Sequence, residues 1–215
     1  MTSRLIWGAA LLAYLGFLAW HENWRGPLTE VEIDTFMARL ETQQKPTPAQ
    51  RAVMMDFMQS DSGKEFFMVN LMAFPDGTIT HPDTGAEMTP QELLRDYTRP
   101  FLGKLFLSGG YPAITGPIVG GHLDAWNVAA NPGWTASGLI RYRSRRDMLE
   151  AATAADFADG HIYKQLALRA TFAVPSESGP GLLMTPRIWL ALLLIALAAL
   201  AHVALLTVQK RKTDK

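Results

Sequence analysis

Residues 65–74 read Glu-Phe-Phe-Met-Val-Asn-Leu-Met-Ala-Phe, a short apolar run between Ser62-Gly63 and Pro75-Asp76-Gly77. It is too short for a buried helix, rich in strand formers and bounded by turn residues, so it predicts a core strand. Working outward, residues 75 to 88 form a polar excursion. Thr89-Pro90-Gln91-Glu92 is then a capping box with proline at the first helical position. The helix it starts carries Leu93, Leu94, Tyr97, Phe101 and Leu105 and stops at Gly109-Gly110. Tyr111 to Val119 predicts a second strand, confined by Pro117 to an edge or a bulge. A Gly/Asn/Pro-rich connection leads to a third strand at Thr135–Tyr142. Ser144 caps a further helix, with Asp147 at its third position; after a break near Asp159-Gly160 it resumes to about Leu168. Ala170–Val174, ended by Pro175, is the fourth strand. The order is β-α-β-β-α-β, a ferredoxin-like α+β sandwich with helices on one face of an antiparallel sheet. The other face needs a cover, and a second copy of the chain is the expected one, giving a homodimer joined through the sheets.

Upstream, Thr29-Glu30-Val31-Glu32 is another capping box, opening a helix with Val31, Phe36, Met37 and Leu40 on one stripe. A second helix spans Pro48 to Ser60. Together residues 25–63 read as a helical stalk or cover for a domain at 64–176.

Both ends of the chain are apolar. Leu5 to Trp20 carries no charge, and at 1.5 Å per residue spans roughly 24 Å, extended by Trp20 and Trp24 at headgroup level. A cleaved signal peptide is the rival reading, against which stand bulky Phe17, Leu18 and Trp20 where small residues would be needed. Ile188 to Val208 is a full span, followed by Lys210, Arg211, Lys212 and Lys215. The organisation expected is an anchor at 1–24, a linker at 177–187, a second span at 188–209 and a basic tail at 210–215. The positive-inside rule places both ends in the cytoplasm and the middle in the periplasm of a bacterium, with the lipid bilayer of the inner membrane as a partner.

The whole chain of 215 residues balances 20 Lys+Arg against 20 Asp+Glu and has no cysteine. That excludes disulfides, thiol catalysis and iron–sulfur clusters. Residues 21–186 hold 14 Lys+Arg against 19 Asp+Glu, a net charge of −5. So acidic a region is not a nucleic-acid binder. No P-loop, dinucleotide fingerprint, nucleophile elbow or metal spacing is present, and no cofactor or metal is expected.

Val69-Asn70-Leu71 with Phe74, Gly109-Gly110, and Trp134 leading to Arg141-Tyr142-Arg143-Ser144-Arg145 resemble a bacterial family of unknown function in the dimeric α/β-barrel superfamily. The resemblance covers residues 64 to 175. It implies the same fold. The superfamily includes cofactor-independent monooxygenases, haem-degrading enzymes, muconolactone isomerases and non-enzymatic members.

Alternation places Phe66, Met68, Asn70, Met72 and Phe74 on the barrel-interior face of the first strand, with Phe67, Val69, Leu71 and Ala73 under the helices. Asn70 is the polar member of the interior set, either orienting a ligand or bonding a neighbouring strand. In the resembling monooxygenases such a residue assists oxygen chemistry. Arg141, Arg143, Arg145 and Arg146 form the densest charge cluster, read as an anion pocket or as pairing with Asp147, Glu150 and other acids. Ligand-binding candidates are thus Asn70, Trp134, Arg141 and Arg143, and catalytic candidates Asn70, Tyr97 and His122. His161 is a further candidate base. His202, inside the second span, is read as a haem or pigment ligand or as a helix–helix contact. Three functions fit: a ligand-binding or structural periplasmic domain, favoured because the core positions are apolar; a cofactor-independent monooxygenase- or isomerase-like enzyme; and an accessory subunit of a membrane complex.

Overall fold

The computed structural model of the chain describes residues 2–154, 160–177 and 185–213. The expected break at Asp159, most of the 177–187 linker, and Lys215 lie outside these residues. The chain divides into two compact units, Met1–Glu22 with Ser178–Lys215, and Asn23–Glu177.

The first unit holds two helices, α1 (Ser3–His21) and the last helix of the chain (Pro186–Thr213), each long and apolar enough to cross a membrane. They pack side by side, burying Ile6 and Ala198. Trp7 Nε1 donates to His202 Nδ1 across the pair at 3.3 Å. Arg187 meets Glu22 near the helix ends. Gly8 and Gly16 of α1 have open space where a Cβ would stand.

In the second unit, Thr29 and Thr47 cap α2 (Glu30–Gln44) and α3 (Pro48–Gln59), each through a complete capping box. Then come β1 (Phe66–Ala73), a small hairpin of β2 (Ile79–Thr80) and β3 (Glu87–Met88), and α4 (Pro90–Leu107). The hairpin lies in the 75–88 excursion, whose polar composition predicts no strand. β4 (Tyr111–Pro117), β5 (Ala136–Tyr142), α5 (Arg145–Ala152), α6 (His161–Ala167) and β6 (Ala170–Glu177) follow. The last helix of the chain is α7 (Pro186–Thr213).

The four long strands form one antiparallel sheet in the order β4-β5-β1-β6, with β1 central and β4 and β6 at the edges. Pro117 sits on an edge strand that also carries an irregularity between Pro112 and Ile114. Pro175 does not end β6; it lies opposite Met68, and the strand runs on through Ser176 and Glu177, opposite Phe67 and Phe66. An edge strand has one side free of ladder bonds, so a missing N–H there costs nothing.

The face assignment of β1 is reversed. Phe66 is fully buried against Leu105 of α4 and Tyr142, and stacks on the Tyr142 ring at 5.2 Å. Phe57 of α3 meets Phe66 edge-on. Met68 and Phe101 extend the same cluster. The even residues, Asn70 among them, therefore lie beneath the helices. Leu71 lies on the opposite face with Phe172. There Ile114 and Phe172 are 65% and 51% exposed, and Val174 39%. Both faces of β1 are apolar, so alternation defines two sets without saying which one the helices cover.

The α2–α3 cover packs on α5 rather than on the open sheet face. Phe36, Met37, Leu40 and Met58 close a second core around Leu149.

Candidate functional site

Between the even face of the sheet and the helices lies a cavity of about 530 Å³. Its floor is Met68 and Asn70 of β1, Tyr142 of β5 and Ala173 of β6. One wall is Tyr97 and Phe101 of α4, one turn apart, their rings stacked at 6.0 Å. Met54 and Met148 add apolar surface. Beside it stands α6, whose His161, Lys164 and Gln165 share a face by their i, i+3, i+4 spacing. Gln43, Gln44 and Gln50 from the α2–α3 cover complete the rim. The cavity thus has an apolar floor and a polar edge, and its volume falls in the range of small-molecule sites.

Asn70 Nδ2 donates to Met68 O at 2.9 Å and Gly138 O at 3.3 Å, both backbone acceptors of the sheet. This fixes the amide plane and leaves Oδ1 without a hydrogen-bond donor among the described residues. His161 meets the Tyr97 ring edge-on at 6.0 Å, and Lys164 Nζ lies 5.6 Å from the centre of that ring. Burial pushes the Tyr97 hydroxyl up to about 12, and the Tyr142 hydroxyl higher still. Burial, and then the Lys164 charge, lowers the His161 imidazole; burial alone lowers the Lys164 amine. The two lowered groups stand side by side in one cavity, a pattern shared by binding and catalytic sites.

The 75–88 excursion positions this wall. Asp83 accepts from the Tyr163 hydroxyl of α6, and His81 Nε2 stands 3.4 Å from Asp96 of α4. His81 Nδ1 in turn accepts from the backbone N–H groups of Asp83 and Thr84. The hairpin thereby ties the two cavity helices together.

Asn70 and Tyr97 are brought together in the cavity, joined by His161. His122 and Trp134 are not. They line a shallower apolar groove of about 760 Å³ on the opposite face of the sheet, with Leu71, Trp126 and Phe172. Lys164, Tyr142 and the glutamines escaped the sequence reading. The signal available was the match of Tyr97/Phe101 and His161/Lys164/Gln165 to single helix faces.

Of the two readings of the arginine cluster, anion pocket or pairing with acids, the ion pairs of Arg141 and Arg143 follow the second. Arg141 is 1% exposed, holds Glu65 Oε2 at 2.6 Å through Nη2, donates to Gly109 O and lies over the Tyr111 ring. Arg143 pairs with Asp147, its Nε 3.0 Å from Oδ2. Arg145 reaches Asp61, Glu177 and the Phe57 carbonyl. Arg146 binds Glu32 at 2.7 Å and the carbonyls of Gly26 and Pro27. Each guanidinium of the cluster is thus met by a carboxylate of this acidic domain. His202 belongs to the helix pair, where Trp7 occupies its Nδ1.

No family model matches the chain. No curated protein matches it either. Two solved structures are similar, both of RPA0582, a protein of unknown function from Rhodopseudomonas palustris. The first is 18% identical, covering 62% of this chain and 95% of that one, with a TM-score of 0.49. The second, of the methylated protein, is 21% identical over 63% and 95%, also at 0.49.

Proposed function

We propose that residues 23–177 form a ferredoxin-like domain of the dimeric α/β-barrel type that binds a small, flat, largely apolar molecule beneath α4 and α6. In this reading two copies pair through the open sheet face. The two apolar helices hold the domain at a bacterial inner membrane, with both chain ends cytoplasmic and the domain periplasmic. The strand order β4-β5-β1-β6, with each outer strand reached by a helical crossover from the strand next but one, supports the fold. The observation that carries binding is the cavity itself. Stacked Tyr97 and Phe101 give a flat apolar wall, and Asn70 Oδ1, locked by its two amide bonds, offers an acceptor for an O–H or N–H.

Met68 lies on the cavity floor, so Met68→Trp fills it from the sheet side. Solvent extraction of the purified full-length chain, followed by mass spectrometry, tests the reading. A small molecule that accompanies the wild type and is lost in Met68→Trp, with helix content unchanged by circular dichroism, is the expected outcome. Equal extracts from the two proteins would overturn it.

A second reading, a cofactor-independent monooxygenase- or isomerase-like enzyme, is favoured by one observation: His161 is held toward its neutral form beside Tyr97. An imidazole in that state is a ready proton acceptor. Turnover of the extracted compound by the wild type and not by His161→Gln would make the domain an enzyme; an unchanged compound would leave it a binding module.

A further inference from the structure

We infer that the cavity selects an organic anion, with Lys164 as its counter-ion; this rests on the ligand-binding reading above and names the charge class of the ligand. The arginines of the 141–146 cluster in the same domain set the comparison. Arg141, Arg143, Arg145 and Arg146 each hold a carboxylate within the fold. Lys164 has no carboxylate within ion-pair distance among the described residues. Its recorded contact is the Tyr97 ring, at 5.6 Å. No aspartate or glutamate lines the cavity among the described residues either, although the domain as a whole is acidic.

A cation drawn out of water without a counter-charge carries a desolvation cost that a ring face offsets only in part. The lowered proton affinity of the amine reports that cost. A carboxylate or equivalent anion entering the cavity would relieve it by a charge-assisted hydrogen bond to Nζ. His161, on the same face of α6 one turn before Lys164, is placed to donate a second, neutral N–H. A neutral ligand would leave the ammonium unpaired. The same arrangement repels cations, because an entering ammonium meets another positive charge. The ligand class is therefore a flat apolar body with one anionic group for Lys164 and a hydroxyl or amine donor for Asn70 Oδ1.

The test uses the full-length chain in non-ionic detergent and two probes of equal shape, 6-hydroxy-2-naphthoate and its neutral carboxamide, titrated by NMR. The expected result is that the naphthoate binds about tenfold or more tightly than the carboxamide, the yield of one charge-assisted hydrogen bond. Lys164→Met should remove that preference while leaving carboxamide binding in place, and Lys164→Arg should keep it. Met68→Trp should abolish both, separating the cavity from the micelle. Equal affinities for the two probes in the wild type, unmoved by Lys164→Met, would overturn the anion assignment and leave the ligand-binding reading standing. Binding of neither probe, or binding of both that persists in Met68→Trp, would overturn the two together.

Discussion

Arg146 leaves the first turn of α5 and ends at the start of α2, where its guanidinium takes both oxygens of Glu32 and the carbonyls of Gly26 and Pro27. Glu32 is at the same time the third residue of the Thr29 capping box, accepting from the Thr29 N–H. These bonds, the Arg146 one largest, lower its carboxyl from the usual 4.5 to about 2. A carboxylate whose proton affinity falls on folding stabilises the fold above its unfolded pKa and loses that contribution as pH drops through the folded value. The window is therefore pH 4.5 down to about 2. Because Glu32 keeps a quarter of its side-chain surface in water, screening reduces the effect to about 1–2 kcal/mol. Thermal melts should show wild-type stability falling across that window. Glu32→Gln should start lower at pH 7 and fall less steeply over the same range. Parallel curves for the two proteins would mean that the pair contributes nothing.

At the scale of elements, what was legible in the sequence is what local chemistry decides. Thr29, Thr89 and Ser144 announce their helices because each offers an oxygen to an N–H that would otherwise lack a partner. The four strands announce themselves by short apolar runs between turn residues. What was not legible depends on contacts distant in sequence. The covered face of β1 is set by which side α4 packs on, and Phe66, Met68, Phe67 and Val69 give no clue to that. The hairpin at 79–88 has strands of two residues, and its purpose emerges only where Asp83 and His81 meet Tyr163 and Asp96. Half of the candidate site was legible for the same reason. Asn70 stands out as the amide in an apolar strand, whereas Lys164 looks like any lysine on a helix until the cavity removes its solvent. The cap of α4 provides a direct check, since this helix carries Tyr97 and Phe101. Thr89→Ala removes the acceptor for Glu92 N and should cost about 1 kcal/mol in a denaturant melt. An unchanged midpoint would show that the helix start is held by its surroundings instead.

For the whole molecule, the helices of residues 23–177 leave one sheet face uncovered. α4 lies on the even face of β1, and the α2–α3 cover closes on Leu149 of α5. What remains is an apolar surface of Ile114, Phe172 and Val174 together with Leu71. A surface of this kind that stayed open would be a liability in solution, and in the pairing proposed above a second copy would supply the same apolar residues in a two-fold arrangement. Aligned packing of two such sheets forms a continuous apolar layer of the sandwich kind. Phe172 and Val174 are adjacent positions on one face of the edge strand β6, each already more than a third exposed. Replacing both with lysine therefore removes little buried surface within a protomer, but places four like charges in the interface of a pair. Light scattering on the detergent-solubilised full-length chain should give a dimer mass for the wild type and a monomer mass for Phe172→Lys/Val174→Lys. The melting temperature of the variant should follow that of diluted wild type. Since the apolar helices of Met1–Glu22 and Ser178–Lys215 can also associate, the variant carries the decision. A dimer that survives both lysines would be held by those helices, and the open sheet face would then require a different partner.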